Sequence, residues 1–305
     1  MKLFLSLVLL ACAASATYGK EPITIYLAGD STMAQKTADK RPETGWGEML
    51  QEFFSPGHVR IDNRAKNGRS TRSFIEEKLW QAIVDNLKAG DYVFIQFGHN
   101  DEKEGTDRYA SPADYRLNLM KFVAEVRAKQ ASPILFTPVM RRRFDDKGEF
   151  LDTHGAYPDV VRKLAAELKV PLIDMHRKSE GVLRQYGADE SRKLFLQLKP
   201  GENPNYPKGV EDNTHFNPRG AQVMAGLAVE GIRELKLPLA KYLKKSTPAS
   251  GASIELMKSV PQRGSVWLLA VFGPTKTSHT LPRSGTDFIA TNHLATQETS
   301  KTHTD

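Results

Sequence analysis

The chain predicts a three-layer α/β/α sandwich around a five-stranded parallel sheet, and three observations lead there. After Lys20, short β-rich runs alternate with longer segments whose apolar residues recur at helical spacing. The 305 residues, 40% of them hydrophobic, suffice for one sizeable domain with an appendage rather than two equal domains. From residue 246 the composition turns to Ser, Thr, Gly and Pro without a sustained period, so the domain is expected to occupy residues 21–245 and residues 246–305 to form a tail.

Strands are expected at 23–28, 59–63, 91–96, 132–137 and 171–174, each a run enriched in β-formers. Helices are expected at 46–54, 73–87, 112–130, 158–168 and 218–235. Ser111-Pro112 supplies an N-cap followed by proline at the first helical position, and Asn217-Pro218 does the same for the last helix. Within the tail, residues 266–272 form an apolar interruption, expected as an extra strand or a local docking patch.

The first sixteen residues carry the three parts of a secretory leader: Lys2, an apolar run at 3–10 and small residues at 11–16. Cleavage after Ala16 fits one exit. Leu9-Leu10-Ala11-Cys12 fits a bacterial lipoprotein box with Cys12 acylated, and the two exits stay open. Either route predicts a secreted, periplasmic or extracellular protein, or one lipid-anchored to a bacterial membrane, and the run is too short to span a bilayer. Because Cys12 is the single cysteine, the folded part is expected to lack disulfides and to depend on its core.

A formal charge of +7 favours acidic partners. Lys and Arg alternate with Asp and Glu along amphipathic segments, so no basic stripe points to nucleic acid. Neither a P-loop nor Gly-x-Gly-x-x-Gly follows the first strand, which disfavours a nucleotide-binding protein. His154 and His176, with Asp152 and Asp174, match no compact zinc spacing.

In an open parallel sheet the loops leaving the carboxyl ends of the strands converge on one edge. Three of these loops carry unusual residues: Gly29-Asp30-Ser31-Thr32, the segment 65–70 around Gly68, and Gly98-His99-Asn100-Asp101. A serine hydroxyl there needs a base, and His215 in Asp212-Asn213-Thr214-His215 is the best placed of the eight histidines. Asp212 in the same turn-prone segment can accept from the imidazole Nδ1 and leave Nε2 for Ser31. The backbone N–H groups of Ser31 and Gly68 and the Asn100 side-chain amide are candidate oxyanion donors. Asp30 is expected to shape its turn, and His99 to be a packed core histidine. Arg141, Arg142 and Arg143 follow the fourth strand, and with Arg69 or Arg72 they are candidates to pair with substrate carboxylates.

These residues carry a resemblance. Gly-Asp-Ser at 29–31, Gly68, Gly-His-Asn-Asp at 98–101 and Asp-x-x-His at 212–215 look like the four blocks of SGNH (GDSL-type) hydrolases, in order. The fuller strings at 26–34, 45–47, 68–74 and 97–101 resemble rhamnogalacturonan acetylesterases, and the match spans about residues 23–240. The resemblance implies a flavodoxin-like fold and hydrolysis of acetyl esters on pectin galacturonate without metal or cofactor. Rivals are the same chemistry on another acyl group, as in a xylan acetylesterase, a lipase or a thioesterase, and a noncatalytic carbohydrate-binding protein. The loops lack the long exposed apolar run that would hold a lipase's acyl chain.

Overall fold

The computed structural model describes residues 21–245. The expected leader, Cys12, the tail and its apolar run at 266–272 all lie outside the described residues. The chain runs β1 (Ile23–Gly29), α1 (Trp46–Met49), β2 (Val59–Asn63), α2 (Thr71–Glu76), α3 (Leu79–Asn86), β3 (Tyr92–Gln96), α4 (Pro112–Ala128) and β4 (Ser132–Phe136). It continues through α5 (Tyr157–Leu168), β5 (Leu172–Ile173), α6 (Met175–Glu190), β6 (Phe195–Leu198), β7 (Val210–Phe216) and α7 (Pro218–Glu234).

Five strands form one parallel sheet in the order β2-β1-β3-β4-β5, with Ile25 opposite both Ile61 and Tyr92. This is the flavodoxin-like order, whose switch point lies between β1 and β3. Alternation along the strands separates two cores. Ile25, Leu27, Phe94 and Phe136 face α1, α6 and α7 and meet Trp46, Leu183 and Met224. Tyr26, Ala28, Val93, Ile95 and Leu135 face α2 to α5 and meet Phe74, Trp80, Phe122 and Leu164. Strands covered on both faces are apolar throughout, and every residue of β3 is buried.

Four expectations need adjustment. The helix expected at 73–87 is two helices, because Lys78 adopts a left-handed backbone (φ 58°) between α2 and α3. The helix expected at 46–54 tightens into a 3₁₀ turn at Leu50–Phe53. The fifth strand is only two residues long, since Asp174 accepts from Arg177 N and starts α6, an element whose polar sequence hid its period. Finally, β6 and β7 pair antiparallel as a separate two-stranded sheet where no strands were expected. The capping signals at the other helices operate as expected: Ser111 accepts from Asp114 N, and Asn217 from Gly220 N.

Candidate active site

The site lies at the carboxyl edge of β1 and β3, the switch point of the sheet. Asp30 sets the turn after β1, its Oδ1 accepting from Thr32 N at 2.9 Å and Thr32 Oγ1 at 2.8 Å. Trp46 Nε1 donates to Gln96 Oε1, and Gln96 Nε2 donates to Thr32 Oγ1, so a buried chain of bonds ties this turn to β3. Lys66 N reaches Gly29 O and brings in the loop after β2.

Ser31 Oγ stands 2.8 Å from His215 Nε2, and His215 Nδ1 stands 2.7 Å from Asp212 Oδ2. An ionised carboxylate only accepts, so Nδ1 carries the imidazole proton and Nε2 accepts from the Ser31 hydroxyl. The other oxygen of Asp212 accepts from Thr214 N at 2.7 Å and His215 N at 2.9 Å, folding the segment around its own carboxylate. Burial opposes ionisation of Asp212, but the bond and charge of His215 and these backbone donors outweigh it and lower its pKa. His215 lies within β7, not in a free turn as its sequence suggested.

Ser31, Gly68 and Asn100, the three candidate oxyanion donors, all line one cavity. Neither Ser31 N–H nor Gly68 N–H has an acceptor among the described residues. Asn100 is buried and uses one N–H on Arg69 O at 3.0 Å, leaving the other free. Gly68 has a positive φ of 76°, which glycine accepts without strain, while the space at its Cβ position is adequate. The backbone conformation by itself therefore accounts for glycine at this position. A cavity of about 340 Å³ opens over these groups and is lined by Ser31, Gly68, Asn100, Asp212 and His215 together with Glu43, Lys103 and Arg108.

Two charged residues close to the Ser31–His215 pair were not foreseen. Lys36 is buried, donates to Ser31 O and Asn67 Oδ1 and pairs with Glu43 at 2.8 Å. Glu43 in turn lies 4.0 Å from His215 Nε2. Nothing in the local pattern distinguishes Lys36 from a solvated lysine; only the fold closes over it.

His99 is buried, as expected, and faces Asp30 at 3.4 Å. Burial pushes the His99 imidazole down to about 4 against the pull of Asp30, so it is neutral near pH 7. Burial of Asp30 is outweighed by His99 and the Thr32 bonds, which hold its carboxyl at about 2. His154 bonds Glu102 and Val139 O, and His176 contacts Arg162 and Asp152.

None of the five arginines proposed as carboxylate partners lines the cavity. Arg69 pairs with Glu77, and Arg72 with Glu76. Arg141 pairs with Glu102 and donates to His99 O. Arg142 is buried and bonds Ser191 Oγ, Asn213 Oδ1 and Ala188 O. Arg143 is exposed outside the cavity. A basic run after a strand points to the right edge of the sheet but not to the side-chain directions, which neighbouring acceptors decide.

Residues 27–223 match the GDSL-like Lipase/Acylhydrolase family. The chain belongs to that family. It is a carboxylic-ester hydrolase of the SGNH fold. It is 46% identical over 225 residues, 73% of its length and 95% of the relative's, to "Rhamnogalacturonan acetylesterase RhgT" of Bacillus subtilis. It is 30% identical to a rhamnogalacturonan acetylesterase of Emericella nidulans, over 68% of this chain and 84% of the relative. Among solved structures, protein YxiM of Bacillus subtilis superposes with a TM-score of 0.62 at 28% identity, over 71% of this chain and 58% of that one.

Proposed function

We propose that this esterase removes acetyl groups from an acidic plant cell-wall polysaccharide, rhamnogalacturonan of pectin, through an acetyl-enzyme on Ser31. The observation that carries the chemistry is the continuous relay from Asp212 to His215 to Ser31, with bonds of 2.7 and 2.8 Å, beside Ser31 and Gly68 N–H groups that have no acceptor among the described residues. The substrate reading is supported by the resemblance to two proteins named rhamnogalacturonan acetylesterases. Export, by either of the two leader routes, would bring the enzyme to a polymer outside the cell.

His215 Nε2 takes the Ser31 proton as Oγ attacks the acetyl carbonyl. The carbonyl oxygen becomes an oxyanion held by the Ser31 and Gly68 N–H groups and by the free Asn100 N–H. The imidazolium, steadied by Asp212, then gives its proton to the departing sugar oxygen. The same base activates a water that attacks the acetyl-enzyme and returns Ser31.

Ser31→Ala should retain the parent's circular dichroism and melting temperature while lowering acetate release by on the order of 10⁵-fold or more. Acetate released from acetylated rhamnogalacturonan, acetylated homogalacturonan and acetylated xylan, measured side by side, tests the substrate. A kcat/KM on xylan equal to or above that on rhamnogalacturonan overturns the pectin reading, and retained activity in Ser31→Ala overturns the nucleophile.

A further inference from the structure

We infer that Arg108 and Lys103 form a carboxylate-binding subsite on the cavity wall, which selects esters borne on or next to a uronate. The inference rests on the esterase reading above and deepens it by naming the residues that read the acid.

The cavity's two carboxylates are already engaged. Glu43 is paired with buried Lys36 at 2.8 Å, and Asp212 is taken by His215 and two backbone N–H groups. The facing cations are not. The Lys103 side chain has no hydrogen bond or ion pair among the described residues. Arg108 has only its chain neighbour Asp107, at 4.0 Å, whose side chain is 95% exposed. Lys40 also lines the cavity but has Asp39 at 3.5 Å, so it is the weaker candidate.

Position strengthens the argument. The Arg108 guanidinium lies over Gly68, its Nη1 3.6 Å and its Cζ 3.7 Å from the point a Cβ would occupy. A planar donor therefore stands beside Gly68 on the wall of the cavity that holds Ser31. The loop holding it is anchored. Glu102 N reaches Gly98 O, Ala110 N reaches Asp101 O, and Thr106 Oγ1 donates to Lys103 O while accepting from Arg108 N. Both cations are thus tied to the loop that supplies Asn100.

Burial, and then the nearby charges of Arg108 and Arg141, lower the pKa of Lys103. Like charges held together repel, and an anion received between them relieves that repulsion. Guanidinium binds carboxylate through two parallel N–H groups, and the ammonium adds a point charge. This is the task for which Arg69, Arg72 and Arg141 to Arg143 are unavailable or misplaced.

The test compares acetylated rhamnogalacturonan oligosaccharides with the same oligosaccharides after reduction of their uronates to neutral sugars. The parent should favour the acidic form by about tenfold or more in kcat/KM, the scale of one charge-assisted bond. That preference should shrink as salt rises. Arg108→Gln and Lys103→Gln should each reduce the ratio several-fold, and the double variant should bring it near one. Equal loss on both forms would place Arg108 with the oxyanion donors and overturn the subsite. So would a parent without preference, or a ratio that survives the double variant.

Unacetylated oligogalacturonate as a competitive inhibitor of 4-nitrophenyl acetate hydrolysis separates this inference from the pectin reading. If xylan proves the better polymer while oligogalacturonate still competes, and competes less against the double variant, the pectin reading fails and the subsite stands. If oligogalacturonate does not compete, or competes equally with parent and double variant, the subsite fails whichever polymer is preferred.

Discussion

The two sheets divide the site between them and are held by different forces. The five-stranded sheet brings Ser31 and the Asn100 amide on loops leaving β1 and β3, strands whose residues are almost all buried and apolar. The β6–β7 pair brings Asp212 and His215 on a strand that is half-buried and mostly polar. Burial fixes the first, because a slip of one residue would exchange the side chains that pack in its two cores. Side-chain bonds help to fix the second: the Arg142 guanidinium donates to Asn213 Oδ1, the Gln197 amide to Asp212 O, and the Asn217 amide to Phe195 O. A robust scaffold therefore carries the proposed nucleophile, Ser31, and a tethered strand carries the proposed base, His215.

The strongest way to break that contrast is at the base itself. Asp212→Asn keeps an acceptor for Thr214 N and His215 N but presents an amide to the imidazole and favours the wrong tautomer. Turnover of 4-nitrophenyl acetate should fall by on the order of 10³–10⁴-fold with little change in melting temperature. A loss below tenfold would mean that β7 alone orients His215 and that the carboxylate is dispensable.

Arg142→Ala probes the tether. It leaves Asn213 Oδ1 and Ala188 O with only their longer bonds from Gln197 and Ser191, which should cost about 1–3 kcal/mol of stability in urea denaturation. Since β7 carries the base, kcat should fall about tenfold or more with KM little altered. Had Arg142 bound substrate, as its place after β4 suggested, KM for acidic substrate would rise instead, and that result would reverse the assignment.

The same contrast explains what the sequence made legible. The five parallel strands were readable because burial on both faces leaves apolar runs, and the caps at Ser111 and Asn217 mark helix starts by local chemistry. Ser31, Gly68 and Asn100 stood out in loops leaving strands, Asp212 and His215 as the acid and base that a serine there needs, and the structure brings all five around one cavity. β7 was hidden because Glu211, Asp212, Asn213 and His215 replace the apolar alternation that announces a strand. Lys36, Glu43, Lys103 and Arg108 were hidden for another reason. Long charged side chains take their direction from tertiary neighbours, which a single sequence does not display.

A smaller effect sharpens the sheet side of the comparison. Asp101, beside Asn100, is fully buried; its Oδ1 accepts from Thr71 N and Thr71 Oγ1, while Oδ2 has no partner. Burial pushes its carboxyl up to about 7, against the Thr71 bonds, from an ordinary value of 3.8. The folded protein thus holds a proton that the unfolded chain releases. This contribution is complete below about pH 4, declines as pH rises toward 7 and is lost above it. Asp101→Asn cannot titrate, yet it retains an oxygen for both Thr71 donors. Unfolding free energies at pH 5 and pH 8 should therefore differ less in the variant than in the parent, by on the order of 1–3 kcal/mol. Equal differences would show that the oxyanion loop tolerates a buried negative charge, and that apolar burial on this side does not dictate protonation.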